Sequence, residues 1–203
     1  MFEILKLGGW MMAPIIICSI ISMAIIVERL WVLRSWKIMP PALIPRVWNL
    51  HRESKIDPGE LKIIRSSSPL GAIVSAALIS RASGRDAMRE NVEQTGRKVV
   101  HELERYLNTL GTIASVSPYL GLLGSVLGMM KVFSTFSSAS DLANPAKLAG
   151  GISEILISTA AGLAVAIPSL IFYRYFQGKI TELTVSMEEE ALALIDRLDP
   201  QPK

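Results

Sequence analysis

The chain has 203 residues, 50% of them hydrophobic, a mean hydropathy of +0.39 and a formal net charge of +3. That is too apolar for an ordinary soluble domain of this length, and the charge is too mild to suggest a nucleic-acid surface, so membrane helices come first. A single cysteine, Cys18, excludes an internal disulfide framework, and no zinc signature, phosphate loop or nucleophile elbow is present.

From Gly8 to Val27 the chain reads "GGWMMAPIIICSIISMAIIV", without a charge over 20 residues. At about 1.5 Å per residue this run covers the ~30 Å hydrocarbon core of a bilayer. It has no basic start and no small-x-small cleavage site, so it is read as a retained helix (8–27) after a short N-terminus (1–7), not as a signal peptide. Glu28 and Arg29 close it and open a polar loop, 28–109. There "PPALIP" and "SSSPLG" separate short helices predicted near 41–52, 58–65 and 69–82, and "LGAIVSAALI" is too short to span. His51 and His101 lie among charges with no partner at ligand spacing, which reads as solvated surface.

Met88, Val92, Thr95, Val99, Leu103 and Tyr106 recur at helical spacing, and the pattern predicts a helix that continues without a break into the second span, 110–132. Lys131 can snorkel at that span's end. A loop, 133–151, leads to the third span, 152–172, where Tyr173, Tyr175 and Phe176 form an expected aromatic belt beside Arg174. The tail, 173–203, repeats the stripe with Ile180, Leu183, Met187, Ala191, Leu194 and Leu198. Most Lys and Arg fall in the large loop and tail, which the positive-inside rule places in the cytoplasm, with the N-terminus and short loop outside. The fold class that follows is an all-α membrane protein with three transmembrane helices, the second and third extended into a cytoplasmic helical bundle.

Small residues crowd the last two spans. Ser117, Gly121 and Ser125, the pair Gly124 and Gly128, and Ser158, Gly162 and Ala166 all sit at fourfold spacing. Such faces let backbones approach closely and favour assembly of helices or subunits in lipid. Pro118 and Pro168 each remove a backbone hydrogen bond, which leaves either a packing kink or freed carbonyls along a wet path.

The functional signal lies in polar atoms at depth. With the third span centred on Gly162, Thr159 lies about 4–5 Å outward of the midplane. With the second centred on Gly121, Ser125 lies about 6 Å outward, and because the helices run oppositely the two hydroxyls reach similar depth. Glu154, about 12 Å from the centre, sits near the outer edge and is off the line of Thr159 around the helix. For the hydroxyls, bonding to their own i−4 carbonyls is an equal reading, and Glu154 has interfacial water as the alternative to a pathway role. No ionisable group lies near mid-membrane, and a hydroxyl holds no proton at physiological pH. If the protein handles protons, the mid-membrane acid comes from another chain.

The segments "SPYLGLLGSVLGMMKVF" and "GISEILISTAAGLAVAIP", with the "ERLWVLR" exit of the first span, resemble the MotA/TolQ/ExbB proton-channel family, and three spans match its ExbB/TolQ branch. The resemblance covers the whole chain. It implies a homopentamer in the bacterial inner membrane that encloses the single helices of ExbD/TolR-type subunits, which supply the membrane aspartate. It also implies force transmission through a TonB- or TolA-type protein. The family's pore-lining threonines correspond to Ser125 and Thr159, and its third-span glutamate to Glu154. Serine at the first of these departs from the threonine of many members; the hydroxyl is kept and a methyl is lost. An intramembrane enzyme is a further option, but the spans offer it no deep nucleophile–base pair, and no cofactor is expected. The readings carried forward are a proton-channel subunit of an ExbB/TolQ-type motor, a TolQ-like role in envelope integrity, and a non-conducting membrane scaffold.

Overall fold

A computed structural model describes residues 10–52, 57–136 and 145–198, and every element among them is helical. In chain order these are α1 (Met12–Val32), α2 (Ser35–Ile38), α3 (Leu43–Arg52), α4 (Pro58–Ser67), α5 (Pro69–Ile79), a 3₁₀ turn (Arg81–Ser83), α6 (Arg85–Leu103), α7 (Leu107–Phe136) and α8 (Pro145–Leu198). The expected N-terminal segment 1–7 and the middle of the 133–151 loop lie outside the described residues. Three helices are long and apolar enough to cross a membrane: α1, Leu107–Ser134 of α7, and α8 within Ala149–Leu198. Large apolar side chains on them stay exposed, among them Ile20 and Met23 of α1, Leu122 and Met130 of α7, and Leu156 and Ile171 of α8. For spans in lipid this is the expected surface.

The chain divides into two compact units. One comprises Met1–Glu28 with Tyr106–Tyr175 and holds the apolar helices; the other comprises Arg29–Arg105 with Phe176–Lys203. In the second unit, α5 is the central element, burying Leu70, Ile73, Val74, Ala77 and Leu78, and it packs on α4 and α6. Asp57 and Ser68 start α4 and α5 by accepting from the backbone N–H of Glu60 and Gly71, each with proline in the first turn. The stripe Met88, Val92, Val99 and Leu103 of α6 is buried, as is the tail stripe from Ile180 to Leu198. Arg85 of α6 pairs with Asp196 near the end of α8.

Two expectations are corrected. The helix predicted to run unbroken into the second span is interrupted at Glu104–Tyr106, where Tyr106 takes φ +64°, and its side chain is exposed instead of completing the stripe. A side chain of the same unit takes up the carbonyl freed there. Arg29 is buried, and its Nη1 donates to the Leu103 carbonyl at 2.8 Å, the acceptor that a continuing helix would offer to the N–H of Leu107. Phe176, placed in the aromatic belt, is fully buried, because it lies one turn before Ile180 on the apolar stripe of the tail.

Candidate functional site

α7 and α8 pack antiparallel along a seam of small residues. A Cβ at Gly121 would lie 2.9 Å from the Ser158 carbonyl oxygen and 3.2 Å from the Cα atoms of Thr159 and Gly162. At Gly124 it would run into the Ser158 hydroxyl, and at Gly128 it would lie 2.8 Å from Ile155 Cγ1. The fourfold glycine spacing thus produces backbone-to-backbone contact, which brings side chains of equal depth into reach. Ser158 is buried in the seam and donates to the Gly121 carbonyl at 3.3 Å, and Ala166 is buried one turn beyond Gly162.

Ser125 and Thr159, predicted to share a depth, are hydrogen-bonded to each other through their hydroxyls. Ser125 Oγ also lies 3.1 Å from its own i−4 carbonyl, Gly121, and 3.0 Å from the Ile155 carbonyl across the seam. Thr159 Oγ1 lies 3.3 Å from the same Ile155 oxygen, its own i−4 carbonyl. Each hydroxyl thus lies within reach of its own i−4 carbonyl, as the local reading expects, and each also reaches the other. Both side chains are half-buried.

Glu154 is separate from that pair. Its carboxylate meets Lys131 Nζ at 3.2 Å, with the glutamate side chain 22% exposed and the lysine 71%. Sequence reasoning gave Lys131 only a snorkelling role. The depth arithmetic used for Ser125 would have found the pair, since Lys131 is ten residues from Gly121, about 15 Å along the helix, close to the depth of Glu154.

Two further polar features were not singled out. Ser22 of α1 and Ser169 of α8 share a buried hydrogen bond of 2.6 Å, and Ser169 also donates to the Val165 carbonyl at 2.7 Å. Ser117, named only as part of a small-residue face, is fully buried, and its hydroxyl has no hydrogen-bond partner. Pro118 and Pro168 lie inside α7 and α8, which continue through them. Among the described residues no group of three or more His, Cys, Asp or Glu converges to hold a metal. Hydroxyls and backbone carbonyls can relay hydrogen bonds, but they store no proton.

The MotA/TolQ/ExbB proton channel family matches residues 65–189. An ExbB-like biopolymer transport protein of Synechocystis is 33% identical over 173 residues, covering 84% of this chain and 81% of the relative. The biopolymer transport protein ExbB of Aquifex aeolicus is 30% identical over 136 residues, 64% of this chain and 90% of the relative. The Tol-Pal system protein TolQ of Pseudomonas aeruginosa is 40% identical over 98 residues, 46% of this chain and 42% of the relative.

Proposed function

Since the chain belongs to the MotA/TolQ/ExbB proton channel family, in its ExbB/TolQ branch, we propose that it is the ring-forming subunit of a proton-driven inner-membrane motor. The family is one of channels with a biopolymer-transport role, and the three apolar helices make this a multi-pass membrane protein. In the proposed assembly five copies surround the single-span helices of ExbD/TolR-type subunits, and a TonB- or TolA-type protein carries force to the outer membrane. The N-terminus and the α7–α8 loop face the periplasm; the second unit and the tail face the cytoplasm.

The observation that carries this reading is the Ser125–Thr159 pair, two hydroxyls hydrogen-bonded across antiparallel apolar helices. An apolar span places polar groups at such depth at a cost, and a wet or partnered path offsets it. By helical rise, no ionisable side chain of the three spans reaches that depth, so in this reading the chain supplies hydrogen-bonding walls while a partner supplies the acid. Glu154, held by Lys131 nearer the helix ends, belongs in this reading to the outer mouth of the path. The TolQ relative supports a second assignment within the same branch, envelope maintenance in place of ligand uptake.

Two measurements test the proposal. Native mass of the purified chain is expected to give a pentamer, and a monomer or dimer would count against the ring. In vesicles carrying the chain with its single-span subunit, Thr159→Ala is expected to abolish proton-driven work and leave the complex assembled. Full activity in that variant returns Thr159 to simple helix packing.

A further inference from the structure

The segment that follows the first span holds cations without acids. From Arg29 to Arg52 it carries five Lys and Arg and no Asp or Glu. Arg29 donates to the Leu103 carbonyl, and Arg46 pairs with Glu60. Lys37 is held differently. Its Nζ lies 3.0 Å from the centroid of the Trp31 ring and 5.8 Å from that of Trp36, a cation–π contact with two exposed indoles. Among the described residues no carboxylate pairs with Lys37 or with the exposed Arg34.

The level of this contact is fixed by α1. Trp31 is four residues past Val27, the last of the uncharged run, which puts it about 6 Å beyond the hydrocarbon edge. The headgroup layer on each side of a bilayer is roughly 5–8 Å thick. A continuing helix would carry Lys37 about 15 Å past Val27, outside that layer. α1 ends at Val32 instead, and the contact with Trp31 keeps the ammonium at headgroup level. Trp31 also extends the exposed line of Ile20, Met23 and Val27 along α1, the face that a spanning helix turns to lipid.

We infer that Lys37, stationed on the Trp31 ring, binds with Arg34 the headgroup of an anionic phospholipid in the leaflet where α1 ends. The lipid supplies the negative charge that the segment lacks, and each cation close to a membrane surface strengthens such binding about fivefold. The occupant is a lipid and not a soluble phosphate, because the ring that holds the ammonium belongs to the lipid-facing line of α1. The inference needs only that α1 spans, and it stands whether or not the chain conducts protons.

The test compares two lipids that both carry a phosphate, of which one has a net charge. The full-length chain is purified in detergent, stripped of lipid and titrated with phosphatidylglycerol or phosphatidylcholine of identical acyl chains. Native mass measurement counts the lipids retained. The wild-type chain is expected to prefer phosphatidylglycerol about twentyfold, the product of two cations. Lys37→Gln should cut that preference about fivefold, and Lys37→Arg should keep it. Trp31→Leu leaves every charge in place and should cut it as well, because the ammonium loses its station. Lys98→Gln, which removes an exposed cation from α6, should change nothing.

Equal binding of the two lipids by the wild-type chain overturns the inference. So does a preference that survives Lys37→Gln or Trp31→Leu, or one that falls as far in Lys98→Gln, which would reduce the effect to net charge. Sodium phosphate and sodium chloride at equal ionic strength are expected to displace the lipid alike. Stronger displacement by phosphate would make a soluble anion the occupant and overturn the lipid site.

Discussion

Gly121 and Gly162 meet where α7 and α8 touch backbone to backbone. A Cβ at Gly162 would lie 2.6 Å from the Ser117 carbonyl oxygen and 3.0 Å from the Cα of Gly121. No side chain can turn away from such a contact, because the obstructing atoms are main chain. The seam sets the distance between the helices, and with it the hydrogen bond between Ser125 and Thr159.

Gly162→Ala is therefore expected to push the helices apart and cost about 1–3 kcal/mol, the usual range for overpacking. Thermal unfolding in detergent measures it. Gly178→Ala is the control: a Cβ there meets nothing within 4 Å, and alanine is the better helix former by up to about 1 kcal/mol. Equal effects of the two substitutions would show that the seam is not tight.

The Lys131–Glu154 pair joins the same two helices, but its lysine is largely exposed. Exposed pairs contribute at most about 1 kcal/mol, so Lys131→Met should barely move the melting temperature. Proton-driven work should fall about two- to fivefold, since the carboxylate loses the group that holds it against α7. Lys131→Arg should restore it. Work unchanged in Lys131→Met would assign the lysine to the surface alone.

Arg29 is buried with its guanidinium on the Leu103 carbonyl. Hydrogen bonds to charged groups contribute about 1.5–3 kcal/mol, and Arg29→Ala should destabilise the second unit by at least that much. Hydrogen exchange reads it locally, with faster exchange expected at the end of α6. Unchanged protection there would mean that other contacts hold the break.

Ser117 presents the opposite case, a fully buried hydroxyl with no hydrogen-bond partner. Removing an unpaired buried hydroxyl relieves a desolvation cost, so Ser117→Ala should leave stability unchanged or raise it by about 1 kcal/mol. A clear loss in thermal unfolding would show that the hydroxyl is bonded in the assembled protein.

Much of this arrangement is legible in the sequence. The apolar runs marked three helices able to span, and helical spacing picked out the buried stripes of α6 and the tail. Helical rise alone put Ser125 and Thr159 at one depth, because rise per residue is a property of the backbone and does not depend on neighbours. The fourfold spacing of glycine and serine named the packing faces for the same reason.

What the chain could not reveal by itself was set by rotation and by partners distant in sequence. "HELERYLNTL" holds no proline or glycine, and nothing local stops its helix; the break coincides with Arg29, 74 residues away, donating to the Leu103 carbonyl. Ser22 meets Ser169 only once α1 is set against α8, and Phe176 turns inward because the tail has a core to pack on. Depth along a helix follows from its covalent geometry, whereas the direction a side chain faces is settled by whatever packs against it. The sequence thus determined which residues share a level in the membrane, and only the tertiary structure decided which of them touch.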